Sequence, residues 1–274
     1  MDMSTHDLDP DVLKQWITRG RDREYLVVDI RKPESYEREH LPGAVHIPVM
    51  EVESHALIRN AGERDIVFYC RNGKRSKAAV LFAADAGVPM AQLFHLRGGL
   101  VEYEGEILTD LPRLDLFPRD ASLEEQMITA LNLEKAAFDF YGRILPDYKG
   151  TPAEKWIQTL AGAERTHGRV IFRQLDALHP QATDFDSFFQ SLSGAILEGG
   201  KSWKEVDEFL KPENSNKYLN VLDFALEMEV AAYDLYRNLA EKVVEPLLKE
   251  MFFMLAQSEK DHIEMVVKIL ELDV

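Results

Sequence analysis

The sequence is poor in cysteine: Cys70 is the one cysteine among its 274 residues. A single cysteine cannot form a disulfide within its own chain. It also cannot supply the paired thiolates of a zinc ribbon, a rubredoxin-type iron site or an iron–sulfur cluster. The sequence therefore excludes these cysteine-based sites.

The sequence also lacks a surplus of basic residues and a long apolar run. Its 32 Lys and Arg residues stand against 48 Asp and Glu, and the net charge of −16 argues against nucleic acid or an anionic membrane as a partner. No stretch is long enough to span a bilayer, and the N-terminus has neither the basic nor the apolar segment of a signal peptide. The sequence thus predicts a cytoplasmic protein without a nucleic-acid or membrane partner.

The length predicts two domains, since one globular domain takes roughly 150 residues. Residues 1–115 alternate helical patterns with short apolar runs, which is typical of an α/β domain with a mostly parallel sheet. The apolar runs are Tyr25–Ile30, Ala44–Ile47, Ile66–Tyr69 and Leu93–Leu96. A stretch around Pro112 and Pro118 has no clean period, and we place a linker at 116–121. Residues 122–274 are predicted to form a helical domain.

The second domain contains an internal repeat. A Glu-x-x-His pair and a further glutamate each occur twice, 95 positions apart. Glu164 and His167 recur as Glu259 and His262, and Glu134 recurs as Glu229. Residues three apart on an α-helix lie on one face, so each Glu-x-x-His pair points one way. Two helices with one Glu and two with Glu-x-x-His supply the ligands of a carboxylate-bridged dinuclear metal site in a four-helix bundle. This oxygen-rich set with one imidazole per metal suits iron or manganese.

The helical pattern of this domain fits such a bundle. Four long helices are predicted at about 122–145, 151–178, 217–242 and 246–272, with an irregular crossover at about 179–216. Two helical hairpins joined by a long crossover are the connectivity of ferritin-like bundles. An alternative is that the glutamates form a buried ion-pair network without a metal, but so many ionised groups in a core without a cation would be very costly.

On these motifs, the second domain resembles the di-iron domain of rubrerythrins and related ferritin-like proteins over its full length. The resemblance implies two iron ions per chain, or manganese, and a reaction with peroxide or O2. It also implies ligand roles: terminal carboxylates at Glu134 and Glu229, bridging carboxylates at Glu164 and Glu259, and one imidazole per metal at His167 and His262. Ala232 stands where rubrerythrins carry an extra metal-binding glutamate. The chain also lacks the cysteines of a rubredoxin module, so a separate electron donor is implied.

The first domain carries chemistry of its own at Cys70. This residue follows a predicted strand, and its loop leads into a predicted helix at 77–86. Backbone N–H groups and the helix dipole favour an anion at such a position, and three loop side chains add positive charge. We therefore expect a lowered thiol pKa and a thiolate nucleophile rather than an inert core cysteine, with Ser76 as the helix N-cap. The predicted anion pocket consists of Arg71, Asn72, Gly73, Lys74 and Arg75.

This loop resembles the Cys-x-x-Gly-x-Arg-Ser/Thr loop of rhodanese-family sulfurtransferases. The resemblance extends to the segments Val28–Arg31, His40–Pro48 and Leu96–Gly99. It implies that Cys70 takes a sulfane sulfur from a small anion such as thiosulfate, or from a persulfide. The cysteine becomes a persulfide and passes the sulfur to a thiophilic acceptor. We interpret the remaining polar residues of these segments as scaffold: Asp29, Arg31, His40 and His46.

The two domains together favour an enzyme that combines sulfur transfer at Cys70 with a di-iron site that reacts with peroxide or O2. The alternative is an iron-binding or redox-sensing protein that uses the rhodanese fold as a docking module. The fourth helix carries a run of six apolar residues at 251–256, so it is apolar on both sides there. A homodimer would cover the side that faces away from the metal ligands. In the alternative arrangement, the crossover or the first domain covers it within one chain.

Overall fold

The computed structural model describes residues 6–85, 92–105, 107–108, 112–118, 120–209 and 217–270. The chain forms two compact units, Met1–Pro112 with Tyr236–Val244 and Arg113–Leu235 with Glu245–Val274. The predicted domain boundaries stay a prediction. Some predicted stretches lie outside the described residues: position 86 of the helix after Cys70, position 119 of the linker, 210–216 of the crossover and 271–272 of the last helix. None of the described helices combines the length and the apolar character that a bilayer crossing requires.

The first unit is built on a five-stranded parallel sheet, which confirms the predicted α/β fold. Its strands are β1 His6–Leu8, β2 Tyr25–Asp29, β3 Val45–His46, β4 Asp65–Tyr69 and β5 Leu93–Leu96. They lie in the order β1-β5-β4-β2-β3. The short β1 was not predicted. The central strand β4 pairs with β2 and β5, and it is buried from Ile66 to Tyr69.

Helices and turns connect these strands. They are α1 Pro10–Thr18, α2 Pro33–Arg38, α3 Ala56–Arg59 and α4 Lys74–Asp85, with 3-10 turns at Val49–Glu51 and Gly99–Val101. Because successive side chains of a strand point to opposite faces, β4 contributes to two cores. Phe68 and Cys70 pack in one cluster, and Val67 and Tyr69 pack in the other. The burial of both faces explains why the strands read as continuous apolar runs.

The second unit is helical and confirms the predicted ferritin-like region. Its long helices are α5 Leu123–Ile144, α6 Ala153–Leu178, α9 Lys217–Lys242 and α10 Pro246–Leu270, and the short helices of the crossover are α7 Phe185–Ser191 and α8 Trp203–Phe209. The last turns of α9, from Tyr236, are counted with the first unit. A capping box fixes the start of α5: Ser122 Oγ accepts from the backbone N–H of Glu125, and the Glu125 carboxylate accepts from that of Ser122. Helix α6 packs against both α5 and α10.

The apolar run of α10 is covered within the single chain. Phe252 is fully buried and Phe253 nearly so. The Phe252 ring meets Phe117 edge-on, with 5.4 Å between the ring centroids. The expectation of a large exposed patch is therefore wrong, because α10 is packed on both sides. The apolar run of α10 therefore no longer supports a homodimer, which stays a prediction.

Candidate functional sites

The first candidate site is the loop that begins at Cys70. Cys70 directly follows β4, and α4 begins at Lys74, so the loop lies at the carboxyl end of the central strand. The Cys70 side chain is 0% exposed, and Gly73 is also buried. The side chains of the other predicted pocket residues are exposed: Arg71, Asn72, Lys74 and Arg75. The loop thus encloses the sulfur beneath a polar and cationic surface.

Hydrogen bonds hold the pKa of the Cys70 thiol below its usual value. Burial raises this pKa, but the backbone N–H groups of Ser76, Asn72 and Arg75 and the Ser76 hydroxyl lower it by more. The Ser76 Oγ lies 3.8 Å from the Cys70 Sγ and 3.0 Å from the Gly73 carbonyl oxygen, so its hydroxyl hydrogen can turn from the carbonyl to the thiolate when the thiol ionises. A thiolate is therefore stabilised here, as expected from the loop's place at a helix N-terminus. The sequence analysis also invoked the cationic side chains, and their role as donor-binding residues stays a prediction.

The predicted N-cap at Ser76 is wrong. Helix α4 begins at Lys74, three residues before the predicted start at 77, and the Asn72 Oδ1 accepts from the Lys74 backbone N–H at 3.3 Å. This earlier start places Ser76 in the first turn of the helix, where its side chain is buried beside the sulfur. The structure thus moves Ser76 from a capping role to a direct contact with the nucleophile.

A glycine turn supports the loop from behind. Gly98 and Gly99 both have positive φ angles, of 66° and 62°. The two residues after them donate backbone hydrogen bonds to the loop, Leu100 to the Cys70 carbonyl at 2.9 Å and Val101 to the Arg71 carbonyl at 3.0 Å. A Cβ on Gly99 would lie 2.2 Å from the Cys70 carbonyl oxygen. Only glycine allows this close approach, which ties the shape of the Cys70 loop to the turn after β5.

The four residues interpreted as scaffold bond to one another or to nearby backbone. Arg31 Nε donates to both carboxylate oxygens of Asp29, at 3.1 and 3.0 Å. His46 Nε2 lies 2.9 Å from the Arg31 carbonyl, and His40 Nδ1 lies 3.1 Å from the Tyr36 carbonyl. These contacts fix the segments at the ends of β2 and β3, and they give all four residues a structural partner.

The second candidate site is a buried cluster that unites the six predicted metal ligands. Glu134 comes from α5, Glu164 and His167 from α6, Glu229 from α9, and Glu259 and His262 from α10. The four carboxylates are all 0% exposed. Several sets of three among these residues have ligand atoms within 4.8 Å of one another: Glu164, His167 and His262; Glu134, His167 and Glu259; and Glu229, Glu259 and His262. Because each set shares members with the others, they form one cluster.

The two imidazoles lie at the centre of the cluster. His262 Nδ1 is 3.1 Å from both Glu164 Oε1 and Glu259 Oε2, and 3.2 Å from Glu229 Oε2. His167 Nδ1 is 3.2 Å from Glu134 Oε2 and 3.4 Å from Glu164 Oε2. The rings stack with 5.0 Å between centroids. His262 therefore contacts carboxylates from both hairpins, whereas the carboxylates in contact with His167 come from α5 and α6.

The charges of the cluster depend on one another. Burial lowers the pKa of His167, but hydrogen bonds and charge from Glu134 and Glu164 raise it to about 11. Burial raises the pKa of Glu164, but His262 and His167 lower it to about 2. Burial raises the pKa of Glu259 well above its usual range, and the Glu198 charge adds to this. Without a metal ion, protonated imidazoles thus supply the positive charge that the carboxylates require.

The donor set fits metal cations. In the described part of the chain, the buried Oε1 of Glu259 accepts no hydrogen bond. A buried carboxylate oxygen without a donor is costly unless a cation meets it. Carboxylates with one imidazole per metal are ligands that suit iron or manganese. The residues present could therefore hold a metal pair.

Sequence reasoning missed one residue and undervalued another. Glu198, from the crossover, is 0% exposed and has a ligand atom within 4.8 Å of those of Glu134 and Glu164. Tyr141, which the sequence analysis left out of the site, donates a hydrogen bond from its hydroxyl to Glu229 Oε1. The seven-residue spacing of Glu134 and Tyr141 already placed Tyr141 on the metal-facing side of α5. No comparable signal marks Glu198.

Comparison with known proteins supports both kinds of domain. Residues 9–106 match the family model described as Rhodanese-like domain, and residues 220–272 match that described as Rubrerythrin. A sulfurtransferase of Allochromatium vinosum is 30% identical over 98 residues, which are 36% of this chain and 87% of that protein. The thiosulfate sulfurtransferase PspE of Escherichia coli is 34% identical over 61 residues, 22% of this chain and 59% of that protein.

The chain is also similar to a protein that is described as a transcriptional regulator rather than a sulfurtransferase. An HTH-type transcriptional regulator of Mycobacterium tuberculosis is 39% identical over 82 residues, which are 29% of this chain and 34% of the regulator. The chain therefore spans about a third of the length of that relative.

Proposed function

The chain belongs to the rhodanese family through residues 9–106 and carries a rubrerythrin domain in its C-terminal part, and from this premise we propose an enzyme with two chemistries. Cys70 transfers sulfane sulfur, and a di-iron site reacts with peroxide or O2. The observation that carries the first activity is the Cys70 thiol beneath converging backbone N–H groups, which lower its pKa. The observation that carries the second is the buried cluster of carboxylates around two stacked imidazoles.

Sulfur transfer follows from the Cys70 loop in two steps. In the first, the Cys70 thiolate attacks the outer sulfur of thiosulfate, a new S–S bond forms, and the old S–S bond breaks with its electron pair leaving on sulfite. In the second, a thiophilic acceptor attacks the outer sulfur of the persulfide, and Cys70 leaves as the thiolate. The N–H groups of Asn72, Arg75 and Ser76 stabilise the thiolate at the start and end of this cycle.

The exposed cationic side chains of the loop act on the donor. Arg71, Lys74 and Arg75 surround the buried sulfur and are exposed to solvent. A small dianion such as thiosulfate is attracted to this surface, while Asn72 and Gly73 shape the backbone beneath it. An anionic sulfane donor is thus the substrate class we propose, together with an external thiophilic acceptor.

In the second unit, we propose that two iron ions are held by Glu134, Glu164, His167, Glu229, Glu259 and His262. Glu164 contacts both imidazoles, and Glu259 contacts His262 and has a ligand atom within 4.8 Å of one on His167, which suits bridging roles for both carboxylates. The iron pair, when bound, supplies reversible oxidation and reduction for the reaction with peroxide or O2. Tyr141 orients Glu229 through its hydroxyl. The electrons come from a separate donor, because one cysteine cannot form the rubredoxin-type iron site that could otherwise supply them.

The test uses the full-length protein, purified without oxygen from iron-supplied cells. Cys70→Ser is expected to abolish thiosulfate:cyanide sulfur transfer and to keep the iron content of the wild type. Wild-type protein is expected to hold about two iron atoms per chain and to reduce peroxide over many turnovers with an added electron donor. Near-wild-type sulfur transfer by Cys70→Ser would refute the sulfurtransferase assignment. Stoichiometric oxidation of bound iron without turnover would refute the peroxidase assignment and favour the redox-sensing alternative.

A further inference from the structure

Glu198 adds a fifth carboxylate to a cluster whose repeat predicts four. It lies in a 3-10 turn, Glu198–Gly200, between α7 and α8. Its side chain is 0% exposed, as are those of Glu134 and Glu164. Ligand atoms of these three residues lie within 4.8 Å of one another. Glu198 therefore faces the same half of the site as Glu134.

The turn that carries Glu198 is held on both sides. Ile196 and Ser202 form an antiparallel bridge, and the Leu197 backbone N–H donates to the Lys201 carbonyl at 2.8 Å. Gly200 closes the turn with a φ of 84°, and its carbonyl accepts from Arg113 Nη1 at 2.9 Å. A turn fixed in this way presents the carboxylate from a defined position rather than from a loose loop.

Two observations connect Glu198 to a cation rather than to the protein core alone. The cluster already holds the buried Glu259 Oε1, which accepts no hydrogen bond within the described residues. A further carboxylate brought next to Glu134 and Glu164 adds negative charge to a place where solvent does not reach. Charge of one sign accumulates in a core only when a counter-charge compensates it.

We propose that Glu198 is a seventh protein ligand of the metal pair, on the side of Glu134. This inference rests on the metal-binding part of the proposed function. Glu198 would supply, from the crossover, an extra carboxylate that α9 lacks because its residue 232 is alanine. The repeat cannot duplicate it, since the position 95 residues earlier is Tyr103, in the other unit. The metal site is consequently asymmetric, with one more carboxylate in the half that contains Glu134.

A seventh ligand of this kind has an electrostatic consequence. Four carboxylates neutralise two divalent ions, and a fifth gives the ferrous site a net negative charge. A negative site favours the more highly charged ferric state, so Glu198 is expected to lower the reduction potential of the iron pair. Removing its charge should raise that potential.

The test compares Glu198→Gln with the wild type in the full chain, loaded with iron under anaerobic conditions. The amide keeps the size of the side chain and removes its charge. We expect one of the two iron atoms to bind at least about tenfold more weakly, since even loss of an outer partner of a metal ligand costs this much. We also expect the reduction potential to rise, with about 59 mV for each tenfold loss of preference for the ferric state. Iron per chain after chelator dialysis and a redox titration measure these effects.

Glu227→Gln is the matched control. Glu227 is an exposed carboxylate that pairs with Lys201 of the same crossover at 3.0 Å, so its variant removes a charge near the turn but outside the cluster. It should bind iron as the wild type does. If Glu198→Gln holds two iron atoms with unchanged affinity and potential, the seventh ligand is refuted while the metal site stands. If the wild type itself binds no metal pair, the proposed di-iron function fails and this inference fails with it.

Discussion

Replacement of Gly99 by alanine is expected to distort the Cys70 loop without touching the sulfur. The new Cβ would lie 2.2 Å from the Cys70 carbonyl oxygen and 2.7 Å from the Gly73 backbone nitrogen. Both neighbours are backbone atoms, so no side-chain rotation relieves the contact. The loop must therefore move away from the turn at 98–99, and the N–H groups that surround the thiolate move with it.

Gly62→Ala is the control that separates the backbone strain of a positive φ from the steric clash of the new Cβ. Gly62 has a φ of 70°, close to the 62° of Gly99, but a Cβ there would meet nothing within 4 Å. Both variants carry the cost of a left-handed alanine, about 1–2 kcal/mol, partly offset by about 0.4–1 kcal/mol from the stiffer unfolded chain. Gly99→Ala adds a steric cost of about 1–3 kcal/mol. The difference between the variants should therefore be about 1–3 kcal/mol.

Two measurements on the full-length protein test this reasoning. Thermal unfolding of the first unit should show a lower Tm for Gly99→Ala than for Gly62→Ala, by roughly 4 °C for each kcal/mol. The rate of iodoacetamide alkylation against pH should show a higher midpoint for Gly99→Ala, moved toward the ordinary thiol pKa of about 8.5. Gly62→Ala should keep the wild-type midpoint. If the two variants agree in both Tm and midpoint, the glycine turn does not hold the Cys70 loop.

Three further predictions concern single side chains. Ser76→Ala removes a hydroxyl that lowers the Cys70 pKa, so the alkylation midpoint should move to higher pH. The thiolate forms as pH rises through this pKa, and an unchanged midpoint would contradict a role for the hydroxyl. Lys74→Ala should raise the KM for thiosulfate with little change in kcat. Replacement of the exposed Arg59 by alanine should change neither constant. A fall in kcat alone would mean that Lys74 stabilises the transition state rather than the bound donor. Glu164→Ala should lose both iron atoms, because Glu164 contacts both imidazoles, and metal analysis that finds one retained iron would exclude a bridging role.

Sequence reasoning succeeded where the chain has a strong period or a fixed motif. The long helices carry the 95-residue repeat, and an α-helix converts the spacing of Glu164 and His167 directly into a shared face. The apolar strand before Cys70 likewise predicted where the loop lies. These relations are local, so they need no knowledge of how distant parts of the chain pack.

It failed where distant packing decides the outcome. The three-residue strand β1 is defined by its parallel pairing with β5, which lies far along the chain. Phe252 is buried partly by Phe117, which precedes it by more than a hundred positions, and no pattern in α10 reveals this. Glu198 reaches the cluster from a turn in the crossover, where neither helical spacing nor repetition singles it out. The predicted start of α4 was three positions too late, since Asn72 accepts a hydrogen bond from the Lys74 backbone N–H and lets the helix begin earlier.

The enclosure of the Cys70 sulfur should also make its reaction rate depend on the width of the reagent. Its side chain is 0% exposed, although the side chains on either side of the loop reach solvent. A slender molecule can present a terminal sulfur end-on, whereas a broad aromatic disulfide has to displace the loop before its sulfur arrives. Rates at Cys70 should therefore rank reagents by their cross-section as well as their intrinsic reactivity. A thiol count made with a bulky reagent on the folded chain would therefore underestimate this cysteine.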